Sequence, residues 1–105
     1  MSNKEVLLTA IHKYGTINQI IKTIEELGEL QQALSRSVAR LLDPPQRKVN
    51  LSYDLKNIDN LFEEMADVEI MLEQCKMLFQ CSAEVEEWKQ KKINRLKERL
   101  ENDNT

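Results

Sequence analysis

Glu25, Glu26 and Glu29 fall within one helical segment, TIEELGELQQAL over 23–34, and Glu63, Glu64 and Asp67 fall within a second, FEEMADVEIML over 62–72. Glutamates four apart on a helix face one another and repel, at about 0.2–0.5 kcal/mol per pair. Either water screens such a cluster or a cation holds it. Glu26 and Glu29 are three positions apart, as are Glu64 and Asp67, so each pair projects from one side of its helix about a turn apart. Two helices each offering such a pair can surround a cation with four carboxylates. Close carboxylates raise one another's pKa unless a cation compensates them. Hard oxygen ligands without a neighbouring His or Cys favour Mg²⁺ or Mn²⁺ over zinc, and Mg²⁺ keeps positions open for water and phosphate oxygens. A phosphate-bearing ligand is therefore expected.

The two clusters differ in what water alone explains. On the earlier helix the acids lie away from a stripe of isoleucines, so a solvated polar face accounts for them. On the later helix Glu64 heads the progression Val68, Met71, Cys75, and Asp67 precedes Met71 and Leu78. Carboxylates aligned with core positions are partly buried, and an unpaired buried charge costs several kcal/mol. A positive partner is required, either lysines of the last helix or a divalent ion.

The elements that position these residues follow from composition and period. The chain has 105 residues, 41% hydrophobic and 31% charged, with two Gly and two Pro. That balance favours long helices, and the length suits a single domain over 1–105. A first helix starts with Asn3 as cap, carries Val6, Leu7, Ala10 and Ile11 inward, and ends at Gly15. Thr16 caps a second, with Ile17, Ile20, Ile21, Ile24, Leu27, Leu34 and Val38 as one apolar stripe to about Leu42. Asp43, Pro44 and Pro45 stop it, and residues 43–56 form the one long connection. A third helix starts at Asp54 or Asn57 and runs to Gln80, with Ile58, Leu61, Phe62, Met65, Val68, Leu72, Cys75 and Phe79 facing inward. Apolar around most of its circumference, it should be central and also able to pack against a second subunit. Ser82 caps a fourth helix, which runs to about Leu100 on Val85, Trp88, Ile93, Leu96 and Leu100. The tail 101–105 is expected to fray.

Charge is uneven along the chain. The formal net charge is −3, which gives no reason to expect nucleic acid, yet Lys89, Lys91, Lys92, Arg95, Lys97 and Arg99 crowd the last helix. An acidic middle and a basic end can hold a metal and an anionic ligand together. Cys75 and Cys81, six apart, are expected as reduced thiols. No apolar run approaches the ~20 residues that span a bilayer, and a cytoplasmic location is expected.

With EELGE at 25–29 and EMAD at 64–67, the chain resembles the MazG-like all-α nucleoside triphosphate pyrophosphohydrolases, relatives of dimeric dUTPase and phosphoribosyl-ATP pyrophosphohydrolase. Their signature is EExxE on one helix and ExxD on the next. The likeness runs from about Ile11 to Leu100, and VEIMLEQCKMLF and VEEWKQKKINRLKERL are similar to small bacterial and phage members. The resemblance implies a four-helix bundle-like subunit assembling as a dimer or tetramer. It implies Mg²⁺ held by Glu26, Glu29, Glu64 and Asp67, with Glu25 and Glu63 orienting or deprotonating the attacking water. Lys92 and Arg95, with Lys89 next, would grip phosphates. The implied reaction is hydrolysis of a nucleoside triphosphate to the monophosphate and pyrophosphate. The interval between Glu29 and Glu64 is longer than in compact members, the added length falling around Pro44 and Pro45.

The remaining residues read more simply. His12 is the only histidine, which argues against a di-iron bundle. Met65, Met71 and Met77 read as core or interface filler, and Trp88 as a packing anchor. Gly28, mid-helix at a cost of about 1 kcal/mol against Ala, implies close helix approach or room for a ligand. Asn18 and Gln19 read as surface or capping residues, or as contacts to sugar or base. The rival to an enzyme is a non-enzymatic oligomeric helical module, or a nucleotide-binding regulator without turnover.

Overall fold

The computed structural model describes residues 1–42 and 61–103, and among these every regular element is an α-helix. We label them α1 (Asn3–Tyr14), α2 (Thr16–Leu41), α3 (Leu61–Phe79) and α4 (Ser82–Asp103). The expected connection 43–56, the start of the third helix at Asp54 or Asn57, and Ile58 lie outside the described residues, as do Asn104 and Thr105.

The helix ends follow local chemistry. Ser2, not Asn3, caps α1: its backbone is extended and its Oγ accepts from the Glu5 N–H at 3.1 Å. Gly15 ends the helix at φ +92°, a conformation that a Cβ would strain, and its N–H reaches Ile11 O at 2.9 Å. Thr16 does not cap α2 but is its first residue, because the turn at Gly15 already supplies the break. Asn18 Nδ2 closes the junction by donating to Tyr14 O at 2.8 Å. At the end of α3, Gln80 takes φ +52° and the Cys81 N–H returns to Lys76 O at 3.1 Å, the pattern of a Schellman stop. Ser82 likewise starts α4 from within, and the helix continues through Asp103, past the expected end near Leu100.

Two compact units divide the chain, Met1–Cys75 and Lys76–Thr105. In the first, α2 and α3 run antiparallel: Gln19 near the start of α2 meets Gln74 late in α3, and Ala33 packs with Leu61 and Leu30 at the other end. The buried apolar residues are Ile11, Ala33, Leu61, Val68 and Met71, and Gln19, Thr23, Glu26, Ser37 and Gln74 are buried with them.

This corrects the expected facing of α2. Its buried side is the one carrying Gln19, Thr23, Glu26, Ala33 and Ser37, whereas Ile17 and Ile24 are 69% and 63% exposed and Ile21, Leu27, Leu34 and Val38 are also exposed. The small and polar side chains face α3, and the bulky apolar stripe is left on the outside. On α3 the expected Leu61 and Val68 are buried, but Phe62, Met65, Leu72 and Phe79 are exposed. In the second unit no residue of α4 is buried. Trp88 is not a buried anchor; it is half-exposed, with the Lys91 ammonium 5.0 Å from its ring centre. Among the described residues no helix is long and apolar enough to cross a membrane.

Candidate metal centre

Antiparallel packing sets the acidic turn of α2 opposite that of α3. Glu26, Glu64 and Asp67 each offer a carboxylate oxygen, and these oxygens all lie within 4.8 Å of one another. Ligands opposite each other around Mg²⁺ are about 4.2 Å apart at its ~2.1 Å bond length, so small side-chain rotations close the difference. Glu26 is buried, at 6% exposure, while Glu64 and Asp67 are half-buried.

Glu29 joins the group from one turn further along α2. Its carboxyl is raised above the ordinary glutamate range, first by hydrogen bonding to Glu26 and by that residue's charge, then by desolvation, then by the charge of and a hydrogen bond to Glu64. Close carboxylates repel one another, and a cation among them would relieve that repulsion.

The oxygens reveal what is lacking. Glu26 Oε2 and Glu64 Oε2 are buried and meet no hydrogen-bond donor among the described residues. Both belong to carboxylates of the one acidic group, which calls for positive charge at its centre. An all-oxygen donor set of this kind fits Mg²⁺ or Mn²⁺. Protein charge meets part of the demand: Lys22 Nζ lies 3.0 Å from Glu26 Oε1, one turn away on the same helix. The hydrogen bond to Glu26 and that residue's charge raise the Lys22 pKa, so it stays an ammonium.

A cleft of about 630 Å³ has walls that include Tyr14, Asn18, Gln19, Lys22, Glu25 and Met71, and of the residues tied to the acidic group it touches Lys22. Two carboxamides in its wall form a relay: Gln19 Nε2 donates to Gln74 Oε1, and Gln74 Nε2 donates to Leu7 O. Thr23 Oγ1 donates to Gln19 O at 2.8 Å and lies 3.4 Å from Cys75 Sγ. Both cysteines are free thiols. Comparison with models of protein families, with curated proteins and with solved structures finds no match for this chain.

Of the residues singled out by spacing, Glu26, Glu64 and Asp67 stand together, and Glu29, exposed on α2, adjoins Glu26 and Glu64. Glu25 is exposed and lines the cleft, and Glu63 is exposed on α3. Lys89, Lys92 and Arg95 are exposed on α4, in the second unit, where Lys89 Nζ is 3.1 Å from Glu86 Oε1. Two features went unread. Lys22 was legible as an i,i+4 partner of Glu26, and Gln74 as a polar residue flanked by Met71 and Cys75. Gly28 is not explained by close helix approach, because a Cβ there would meet no atom within 4 Å.

Proposed function

We propose that this chain is a Mg²⁺-dependent nucleoside triphosphate pyrophosphohydrolase of the MazG-like all-α type. The observation that carries the reading is the convergence of Glu26, Glu64 and Asp67, with two buried carboxylate oxygens that no donor among the described residues satisfies. A merely solvated acidic face would leave those oxygens in water. Glu26, Glu29, Glu64 and Asp67 would hold the ion, with Mn²⁺ as a substitute. A divalent ion bound there supplies charge neutralisation at phosphate oxygens and acidifies water in contact with it.

The chain's own residues do the rest. Glu25 or Glu63 accepts the proton of the attacking water and orients it. The water oxygen adds at the α-phosphorus, the α–β anhydride bond breaks, and pyrophosphate leaves with the bridging oxygen. Lys89, Lys92 and Arg95 bind the negative phosphates, which need positioning and charge stabilisation more than covalent chemistry. The cleft beside Lys22 and Glu25, apolar at Met71 and polar at Asn18, suits the nucleoside.

The exposed apolar face of α2 supports a homo-dimer or tetramer. It would also serve a non-enzymatic oligomeric module, but such a module has no use for buried carboxylate oxygens that lack a donor among the described residues. The experiment is pyrophosphate release from a panel of common and modified nucleoside triphosphates with Mg²⁺. At least one should yield pyrophosphate and monophosphate in equal amounts, abolished in Glu64→Gln. Thermal stabilisation by Mg²⁺ and nucleotide without release from any of them would overturn the enzymatic reading in favour of a binding regulator.

A further inference from the structure

Glu26 divides its two oxygens between unlike surroundings. Oε1 is 3.0 Å from the Lys22 ammonium, whereas Oε2 is buried without a donor among the described residues. The Lys22 side chain is 51% exposed and that of Glu26 only 8%. The ammonium therefore reaches in from the solvent side and takes Oε1, which leaves Oε2 as the oxygen that Glu26 can offer to the group it forms with Glu64 and Asp67. An α-helix sets residues four apart on one face, so this grip is fixed by backbone geometry rather than by a loop.

We infer that Lys22 is a positioning residue of the acidic centre: by holding Glu26 Oε1 it aims Oε2 at the place a divalent ion occupies. The inference rests on the Mg²⁺ reading above. A glutamate has three rotatable side-chain bonds, and a ligand already held in place loses less freedom when the ion arrives. Partners that hydrogen-bond a ligating carboxylate orient it in the same way. The opposing effect is repulsion between ammonium and ion. Four carboxylates outweigh it, since they leave net negative charge even with Lys22 and one divalent ion in place.

The sign of one measurement separates the two effects. Mn²⁺ binding to the 105-residue chain, without nucleotide, is followed by electron paramagnetic resonance of the free ion for wild type, Lys22→Met, Lys22→Arg and Glu64→Gln. Positioning predicts that Lys22→Met weakens binding at least tenfold and that Lys22→Arg, which restores the grip, stays within about threefold of wild type. Thermal unfolding in chelator should barely move for either variant, because the lysine is half-exposed. Unchanged or tighter binding in Lys22→Met would overturn the inference. If Glu64→Gln loses the ion while Lys22→Met keeps it, only the role of Lys22 falls. If the wild-type chain binds no Mn²⁺, the metal reading falls with it.

Discussion

Gln19 Nε2 donates to Gln74 Oε1 at 2.9 Å, and because Gln74 Nε2 donates onward to Leu7 O at 3.2 Å, one buried side chain ties α1, α2 and α3 together. Removing it strands the buried Gln19 amide and unties α3 from α1, although Leu7 O keeps its donor within its own helix. Gln74→Leu should cost about 1–3 kcal/mol. Adding Gln19→Leu should restore part of that loss, since two apolar partners no longer strand each other. Urea unfolding followed by circular dichroism measures both, and a double variant weaker than the sum of the singles would show that the pair does not act as a relay.

How much of this was legible in the sequence differs between the two sides of α2. The meeting of Glu26, Glu64 and Asp67 was readable because helical period puts residues three apart on one side, and that geometry does not depend on packing detail. The inward face was not. Hydrophobic pattern marks where apolar area must be covered, but not what covers it, and here α3 packs on Ala33, Thr23 and Gln19 while Ile17 and Ile24 remain outside. Trp88 misled for the same reason: a large ring predicts contact without naming the partner. Gln74 was obscured by its neighbours, since a carboxamide among Met71, Leu72 and Cys75 becomes informative only once Gln19 stands opposite.

Gly28 sits inside α2 with open space where a Cβ would project. Gly28→Ala therefore gains helix propensity without a clash and should stabilise the chain by about 1 kcal/mol, with a rise in Tm of roughly 4–8 °C for a chain of this size. A fall in Tm would mean that the space is used, and loss of nucleotide binding at raised Tm would place the ligand there.

The raised pKa of Glu29 gives a pH dependence of defined sign. A carboxyl that holds its proton more tightly folded than unfolded stabilises the fold at acid pH, and this contribution is lost as pH rises through its folded value. In chelator, the Tm of wild type relative to Glu29→Gln should therefore drop as pH is raised from below the ordinary glutamate range to neutral. Excess Mg²⁺ should flatten the drop, because the cation replaces the proton. A difference that grows with pH in chelator would contradict the carboxyl cluster as described.

The apolar stripe of α2 is left without cover. Ile17, Ile21, Ile24, Leu27, Leu34 and Val38 are all exposed along one helix, and Leu27, Leu30, Leu34 and Val38 border an open groove of about 340 Å³. Covering apolar area is worth about 25 cal/mol per Å², so six such side chains favour association strongly. The chain should sediment as an oligomer at micromolar concentration. Ile24→Glu places a charge in the middle of the stripe and should weaken self-association at least tenfold, whereas Arg36→Glu, exposed on α2 away from the stripe, should leave it unchanged. The acidic centre lies within one chain, so Mn²⁺ should still bind the dissociated Ile24→Glu variant. A wild-type chain that sediments as a monomer would show that the stripe is not a contact between copies.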